Sequence, residues 1–297
     1  MILQESAIKT NVPWETLLNF REVGYIDAVL QALLQFYDVS DYEIWVYLTF
    51  DSLNERIQIK ESNQKQIIFI VGDESNRLPP ELIRQAFALF KTYLSEIGNE
   101  PHVFPLPIGY SRASKHRMVV PILERSQNIF FSGNLHRGRS KLYQYFTRVK
   151  LPFPLLYRIR HVLGHQFDTA FPKSFVCFSN GFHNGLSPEE YSEHLYHSKI
   201  VLCPPGLSQP ETMRHYEAMR AGCIIVSEKL PNTYFYQNSP ILFVENWGEA
   251  RDIIHRLLDN PTEMVDLHEK TIKWWHSHCS EKAAARYIFT KLKSLTV

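Results

Sequence analysis

Residues 198–227 of this 297-residue chain read SKIVLCPPGLSQPETMRHYEAMRAGCIIVS. An apolar strand stops at the Pro-Pro-Gly turn of residues 204–206, and a helix over residues 209–221 follows. Gly222 ends this helix, and a second apolar strand begins directly after it. Two strands joined through a helix of this length predict a parallel pair with a right-handed crossover.

The start of this helix is a predicted anion-binding site. Ser208 and Glu211 have the spacing of a capping box, so we expect Ser208 to be the N-cap. A helix that begins at the carboxyl end of a parallel strand points free N–H groups into the crevice, where anions bind. Gly206 would let a phosphate approach the backbone closely.

Two charged side chains follow on one face of the same helix, because Arg214 and Glu217 are three residues apart. A guanidinium can hold a diphosphate with two hydrogen bonds, and a carboxylate can accept from both hydroxyls of a ribose. A surface ion pair on a solvated helix face is the alternative interpretation. The position one turn beyond a glycine loop favours the nucleotide site.

The remainder of the chain also alternates short apolar strands with amphipathic helices, which is typical of α/β proteins with parallel sheets. A break in this periodicity at residues 110–125 predicts domains at 1–124 and 125–280, with a C-terminal helix at 281–297 that packs back on the first domain. Further predicted strands cover residues 43–50, 66–71, 102–108, 128–131, 174–178 and 241–244, and further predicted helices cover residues 82–97 and begin near Gly138 and Ser187.

Composition sets limits on function. Hydrophobic residues make up 44% and charged residues 21%, as in globular proteins. The formal net charge of +1 gives no overall attraction to nucleic acid. No apolar run approaches the ~18 residues of a membrane-spanning helix. The four cysteines form no C-x-x-C pair, so reduced thiols in the cytoplasm are expected.

Residues 125–167 contain no Asp or Glu but eight Lys or Arg and three His, which creates a local positive field. Arg137, Arg139 and Lys141 follow a turn at Gly133 and are the best candidates for contacts with a diphosphate. A basic patch for an acidic partner or for lipid headgroups is the alternative, so peripheral contact with a membrane stays open.

Residues 198–227 resemble the donor-binding segment of exostosin-type glycosyltransferases. That pattern is a strand, a Pro-Gly loop, a Ser, an Arg three residues before an acidic residue, then Ala, Gly-Cys and an apolar strand. Arg214, Glu217, Ala218, Gly222 and Cys223 stand at the matching positions. The segments FFSGN at 130–134, VGDE at 71–74 and LPIGY at 106–110 resemble further parts of the family.

The resemblance implies a GT-B architecture, in which two Rossmann-like α/β domains face each other across a cleft. The second domain would bind a nucleotide-sugar, with UDP as the expected nucleotide, and a carbohydrate acceptor would approach from the first. No metal or other cofactor is expected, because helix ends and basic side chains would neutralise the leaving diphosphate. The expected donor-binding residues are Gly133, Asn134, Arg137, Arg139, Gly206, Ser208, Glu211, Thr212, Arg214 and Glu217.

The expected chemistry is inverting. Many retaining GT-B enzymes carry two glutamates in this helix region, and here Glu217 fills the second position while the first is Gln209. Inversion needs a general base for the acceptor hydroxyl. Asp73 and Glu74 directly follow a predicted strand and are the leading candidates, although carboxylates after a strand are also common turn residues. His102, His116 and Asp27 stay open as alternatives.

Other sequence features give weaker indications of a site or of a different function. His161 and His165 have the spacing of metal ligands, but no third ligand completes a zinc signature. Phe182 follows a predicted strand and could stack on a nucleotide base. A catalytically inactive nucleotide- or glycan-binding module is the alternative to an enzyme. A hydrolase has little support, because no G-x-S-x-G or Walker-type sequence occurs.

Overall fold

The computed structural model of the chain describes residues 8–13, 17, 20, 23–49, 64–74, 78, 80–94, 100–148, 151–159, 166–167, 169, 171–179, 181 and 184–296. Contacts divide the chain into two units. The first comprises Met1–Arg112, Pro231–Gln237 and His276–Val297, and the second comprises Ala113–Leu230 and Asn238–Trp275. The domain limits expected from the sequence stay a prediction. Within the described parts of the chain, no helix has the length and apolar character needed to cross a bilayer.

The first unit contains a parallel sheet whose strands lie side by side in chain order. In β3 every residue after Lys65 is buried, as expected for a parallel strand covered on both faces. The strands are β1 (Ile8–Thr10), β2 (Tyr42–Leu48), β3 (Lys65–Val71), β4 (Ala88–Lys91) and β5 (Val103–Pro105).

The predicted helix at residues 82–97 is wrong. A short helix, α2 (Pro80–Gln85), is followed by strand β4, which pairs with β3 on one side and β5 on the other. All four residues of β4 are buried. Because both faces of this strand are covered, its side chains show no alternation, and a short apolar run of this kind resembles part of a buried helix.

Two helices far apart in the chain pack together in the first unit. They are α1 (Val23–Phe36), which the sequence analysis did not predict, and a C-terminal helix (Glu281–Ser294). The ring of Tyr37, just after α1, stacks on Phe289 with 4.6 Å between centroids. The hydroxyl of Tyr110 donates to Glu281 Oε1 over 2.6 Å. The end of the chain is therefore built into the first unit.

The second unit contains a six-stranded sheet in the order β11-β10-β9-β6-β8-β7. All pairs are parallel except β7–β8, an antiparallel edge that the sequence analysis did not predict. The α/β class with two parallel sheets is therefore confirmed. The strands are β6 (Gln127–Asn134), β7 (Gln166–Phe167), β8 (Ser174–Ser179), β9 (Ser198–Cys203), β10 (Ile224–Ser227) and β11 (Leu242–Phe243).

Helices lie on both faces of this sheet. Alternate strand residues, such as Ile129 and Phe131, join a core with residues from the helices that follow β6 and β11. Phe130 points the other way and contacts Tyr191, with 5.3 Å between ring centroids. The helices are α3 (Ser140–Phe146), α4 (Phe153–Ile159), α5 (Pro188–Tyr196), α6 (Met213–Arg220), α7 (Trp247–Leu258) and α8 (Pro261–Trp274); the C-terminal helix of the first unit is α9.

Helix α5 begins as predicted, but α6 does not begin at Ser208. Its N-cap is Thr212. The backbone N–H of Gly206 donates to the Gln209 carbonyl over 2.8 Å, which closes a turn before the helix. Pro210 biases Gln209 away from the helical conformation, so the predicted capping box cannot form there. The turn lies at residues 206–209, and the helix cap follows it at Thr212.

An imidazole closes the first turn of α6. The backbone N–H of Thr212 donates to His215 Nδ1 over 3.1 Å, and the other ring nitrogen contacts Ser227 Oγ over 2.9 Å. Since Nδ1 accepts, Nε2 carries the proton and donates to the serine. Burial lowers the pKa of His215 to about 3. The folded state therefore requires the neutral ring.

We expect this requirement to destabilise the protein in acid. A histidine whose pKa falls from 6.5 to about 3 on folding contributes fully above pH 6.5, and its contribution is lost as the pH falls towards 3. The free energy of unfolding should fall by roughly 1.4 kcal/mol per pH unit from this group alone. Urea unfolding between pH 7.5 and 5 measures the slope. His215→Gln should flatten it, and an unchanged slope in that variant would contradict the assignment.

Candidate functional site

The candidate site lies where the strand order of the second unit reverses. From β6 the chain proceeds to β8 on one side, and it then returns to place β9 on the other side of β6. The connections that leave β6 and β9 therefore diverge at their carboxyl ends. In open α/β sheets such a switch point is where ligands bind. The segments at this point are the end of β6, at Gly133 and Asn134, and the Pro-Pro-Gly turn after β9.

Two arginines from different helical segments meet at Gly133. A Cβ atom added to this glycine would lie 2.7 Å from Arg214 Nη2 and 2.9 Å from Arg139 Nη1. Both guanidinium groups also lie over the Phe131 ring, 4.9 Å from its centroid for Arg214 and 5.7 Å for Arg139. The absence of a side chain at Gly133 thus makes room for both cations.

The two guanidinium groups are bonded to the protein to different degrees. Arg139 donates from Nε to the Pro205 carbonyl over 3.2 Å and from Nη1 to the Asn134 carbonyl over 2.9 Å. Arg214 donates from Nη2 to the Ser132 carbonyl. Within the described residues, its buried Nε and Nη1 have no hydrogen-bond partner. Arg214 therefore presents two donors from which no described residue accepts a hydrogen bond.

This arrangement places two like charges together away from water. Arg139 is 7% exposed and Arg214 is 9% exposed. Burial, and then the neighbouring Arg214, lower the pKa of the Arg139 guanidinium to about 9. A buried charge without a partner is costly. An anion would offset the repulsion between the two guanidinium groups and would accept hydrogen bonds from the two donors of Arg214. The geometry thus fits an anionic ligand.

Glu217 lies one turn beyond Arg214 on α6 and is also buried, at 6% exposure. Its Oε2 accepts a hydrogen bond from the Tyr191 hydroxyl over 2.9 Å. Burial, then Glu217, raise the pKa of Tyr191 well above its ordinary value, while Arg214 opposes this shift. The three groups therefore form one electrostatic cluster. The sequence analysis did not identify Tyr191. Its position near the middle of α5 does not indicate that it contacts Glu217 on α6.

Asn134 has a supporting position in the site. Its side-chain oxygen accepts from the Gly181 N–H over 3.0 Å, and its carbonyl accepts from Arg139. His136 was not predicted. Its ring is half-buried beside Arg139, and burial followed by that charge lowers the pKa to about 4. Its Nε2 is buried and lacks a hydrogen-bond partner among the described residues.

The remaining predicted donor residues lie at the surface or in the segment that leads into α6. Arg137 and Ser208 are exposed. Gly206 closes the turn before α6, and Thr212 is the cap of that helix. Glu211 is buried and accepts from the Tyr216 hydroxyl over 2.8 Å. Their role in donor binding stays a prediction.

The candidate base Asp73 belongs to an ion pair in the first unit. Lys91 is fully buried, and its Nζ lies 3.4 Å from Asp73 Oδ2 and donates to the Asp73 carbonyl over 2.8 Å. Burial lowers the pKa of Lys91, and Asp73 opposes that shift. The Asp73 carboxylate is therefore already engaged by a buried ammonium. Glu74, half-buried in the same turn, is the better candidate of the two.

Replacement of Asp73 and Glu74 by the corresponding amides distinguishes a structural ion pair from a candidate base. Asp73→Asn should lower the free energy of unfolding by about 2–3 kcal/mol, because it leaves the buried ammonium of Lys91 without its counter-charge. Glu74→Gln, at a half-buried residue of the same turn, should cost less than Asp73→Asn. Urea unfolding measures both. Equal, small effects would show that the Asp73–Lys91 pair has no structural role.

The alternative residues have local partners. His102 Nε2 lies 2.8 Å from the Ile83 carbonyl, and His116 Nδ1 lies 3.2 Å from the Tyr196 hydroxyl. Asp27 accepts from Gln31 over 3.0 Å, and burial raises its pKa. Residues 161, 165 and 182 lie outside the described residues. Among those that are described, no group of three or more metal-ligating side chains occurs. That the chain needs no metal stays a prediction.

No protein-family model matches this chain, and no curated protein matches it. Solved structures do. An alpha1,3-fucosyltransferase is 13% identical with a TM-score of 0.49, and the match covers 98% of this chain and 92% of that one. Anabaena HepE in complex with UDP is 10% identical with a TM-score of 0.48, and the match covers 91% and 82%.

TarM is a third match, at 10% identity and a TM-score of 0.48 over 89% of this chain, which spans 57% of the TarM chain. At these identities and scores the matches concern fold and assign no reaction or ligand to this chain. The exostosin-type resemblance is not matched by any family model. What the strand pairing establishes is the fold: the chain is an α/β protein with two parallel sheets.

Proposed function

We propose that the chain is a glycosyltransferase. It transfers the sugar of a nucleoside-diphosphate sugar, with UDP as the expected nucleotide, to a hydroxyl of a carbohydrate acceptor. The observation that carries the proposal is the Arg139–Arg214 pair at Gly133, with two buried donors on Arg214 that have no partner among the described residues. A diphosphate supplies the charge and the acceptor oxygens that this pair lacks. The resemblance of residues 198–227 to exostosin-type donor segments adds the sugar-nucleotide class.

The proposed step is an inverting displacement without a metal ion. The acceptor oxygen forms a bond to the anomeric carbon while the bond from that carbon to the β-phosphate oxygen breaks. The nucleoside diphosphate leaves with the electron pair, and the proton of the acceptor hydroxyl passes to a general base, for which Glu74 is our candidate. Arg139 and Arg214 would stabilise the negative charge that develops on the leaving group. Glu217, held by Tyr191, would accept from the ribose hydroxyls.

Thermal-shift measurements with UDP-, GDP- and dTDP-sugars test the proposal. One nucleotide class should raise the midpoint of the wild type in a concentration-dependent manner, as expected for a ligand of the native state. Arg256→Ala is the matched control for Arg214→Ala. Arg256 is an arginine of the same unit, and it pairs with Glu263 on the surface. It should retain the full shift. Absence of a shift with every nucleotide would contradict the proposal.

A catalytically inactive nucleotide- or glycan-binding module is the second candidate, favoured by the pairing of Asp73 with Lys91, which engages one of the two candidate bases in an ion pair. The two candidates differ in turnover. A transferase should release nucleoside diphosphate from the donor, with slow hydrolysis in the absence of acceptor. A binding module should show the thermal shift and no release under any condition.

A further inference from the structure

The turn that carries Glu74 is bonded to the end of the neighbouring strand. Glu74 follows Gly72 and Asp73, and the chain leaves β3 with a φ angle of 87° at Gly72. The backbone N–H of Gly72 donates to Oγ1 of Thr92 over 3.2 Å. Thr92 lies directly after β4, and its backbone N–H donates to the Ile70 carbonyl over 3.0 Å. A side chain from the end of β4 therefore holds the start of the turn.

The hydroxyl of Thr92 acts as acceptor and donor at once. It accepts from Gly72, and it donates its own proton to the Ile70 carbonyl over 3.4 Å. The side chain is fully buried. A valine of similar shape would fill this space, but it could neither accept nor donate a hydrogen bond. The contacts with the turn therefore depend on the hydroxyl and not on the volume of the side chain.

Lys91, the residue before Thr92, holds the next residue of the turn. Its ammonium donates to the Asp73 carbonyl over 2.8 Å and to the Thr92 carbonyl over 3.1 Å. Tyr93, directly after Thr92, has a φ angle of 57°, a strained conformation for a bulky residue that is found most often near functional sites. Two consecutive residues at the end of β4 thus fix the two residues that precede Glu74.

We propose that Thr92 is a positioning residue for the transfer step: through Gly72 it holds Glu74 where its carboxylate removes the proton of the acceptor hydroxyl. The inference rests on the proposed function and on Glu74 as its base. A general base must lie within hydrogen-bond reach of the proton that it removes. A misplacement of about 1 Å can cost about 100-fold in rate, even when the substituted residue does not touch the substrate.

Turnover in the absence of an acceptor tests the proposal, because water then takes the place of the acceptor hydroxyl and needs the same base. The probe is the nucleotide-sugar that raises the melting temperature of the wild type most, and the readout is release of nucleoside diphosphate. Thr92→Val should lower kcat roughly 10- to 100-fold. The KM for the donor and its thermal shift should not change, since the Arg139–Arg214 pair is intact. Thr92→Ser keeps the hydroxyl and should retain most of the activity.

A double-mutant cycle with Glu74→Gln separates positioning of the base from a general loss of structure. Glu74→Gln should lower kcat at least as much as Thr92→Val. Thr92→Val should then cause no further loss in the Glu74→Gln protein, because the base that it positions is gone. Additive losses, or wild-type kcat in either single variant, would overturn the proposal. Thr271→Val is the matched control: it removes a buried hydroxyl that donates to the Leu267 carbonyl over 2.8 Å, and it should keep the wild-type kcat.

A circular-dichroism melt shows whether each variant is folded at the assay temperature, and Thr92→Ala provides the same test if the valine variant is not. A wild type that binds nucleotide-sugar but releases no nucleoside diphosphate would overturn the positioning role, since no proton transfer would then occur. A normal thermal shift with unchanged kcat in Thr92→Val would overturn the positioning role alone. Absence of a shift with every nucleotide-sugar would overturn the proposed function together with it.

Discussion

Arg214→Ala is expected to lower the transferase kcat/KM by a factor of about 10²–10³ and to raise the Kd of the nucleoside diphosphate about 100-fold. The side chain offers two buried donors, Nε and Nη1, that have no partner within the described residues. A diphosphate oxygen is the group that these donors fit. Their removal costs the ligand two charge-assisted hydrogen bonds in a site shielded from water.

The same substitution should leave the ligand-free protein at least as stable as the wild type. Arg214 makes one hydrogen bond with the part of the chain that the structure describes, to Ser132, and its charge repels that of Arg139. Loss of a buried like charge offsets loss of that bond. Arg214→Lys is the matched variant, since it keeps the charge and removes the fork of donors. A large drop in the melting temperature of ligand-free Arg214→Ala would mean that the arginine has a structural role.

Gly109→Ala is expected to lower the free energy of unfolding of the first unit by about 4 kcal/mol. The φ angle of Gly109 is 66°, and an added Cβ would lie 2.0 Å from Cγ of Tyr25. That ring cannot move away easily, because it is fully buried and its hydroxyl donates to the Cys279 carbonyl over 2.7 Å. Left-handed strain of about 1–2 kcal/mol therefore adds to an overpacking cost of about 1–3 kcal/mol.

Gly181→Ala separates these two contributions. Gly181 has a φ angle of 97°, and among the described residues no heavy atom lies within 4 Å of an added Cβ. Its substitution should cost only the backbone strain, about 1–2 kcal/mol. Urea unfolding measures both variants. If Gly109→Ala costs no more than Gly181→Ala, the contact between Gly109 and the Tyr25 ring is not rigid and the expected clash is wrong.

Much of the second unit could be predicted from its sequence because local pattern and tertiary environment agree there. Short apolar runs bounded by glycine and proline predicted the strands β8, β9 and β10 close to their observed ends, whereas β6 continues three residues beyond its predicted end at residue 131. Gly133, Arg139 and Arg214 were singled out from expected places after strands, although Gly133 lies within the last residues of β6. The structure brings these three together because β6 and β9 are neighbours, which the order along the chain does not reveal.

Other features depend on partners that are distant in sequence. Strand β4 looked like part of a helix because it is buried on both faces, and only pairing with β3 and β5 identifies it. Tyr191 acts on Glu217 from another helix, 26 residues away. Asp73 was chosen for its place after a strand, but its neighbour Lys91, on the next strand, decides its environment. Spacing within a segment carries none of this information.

The coupling between Arg214 and the β-phosphate tests the central claim most directly. Calorimetric titration of the diphosphate and the monophosphate of the preferred nucleoside, with the wild type and Arg214→Ala, completes a double-mutant cycle. We predict a coupling free energy of about 2 kcal/mol or more, because the β-phosphate should lose its advantage when the guanidinium is gone. The same advantage of diphosphate over monophosphate in both proteins would contradict the placement of the diphosphate at the Arg139–Arg214 pair.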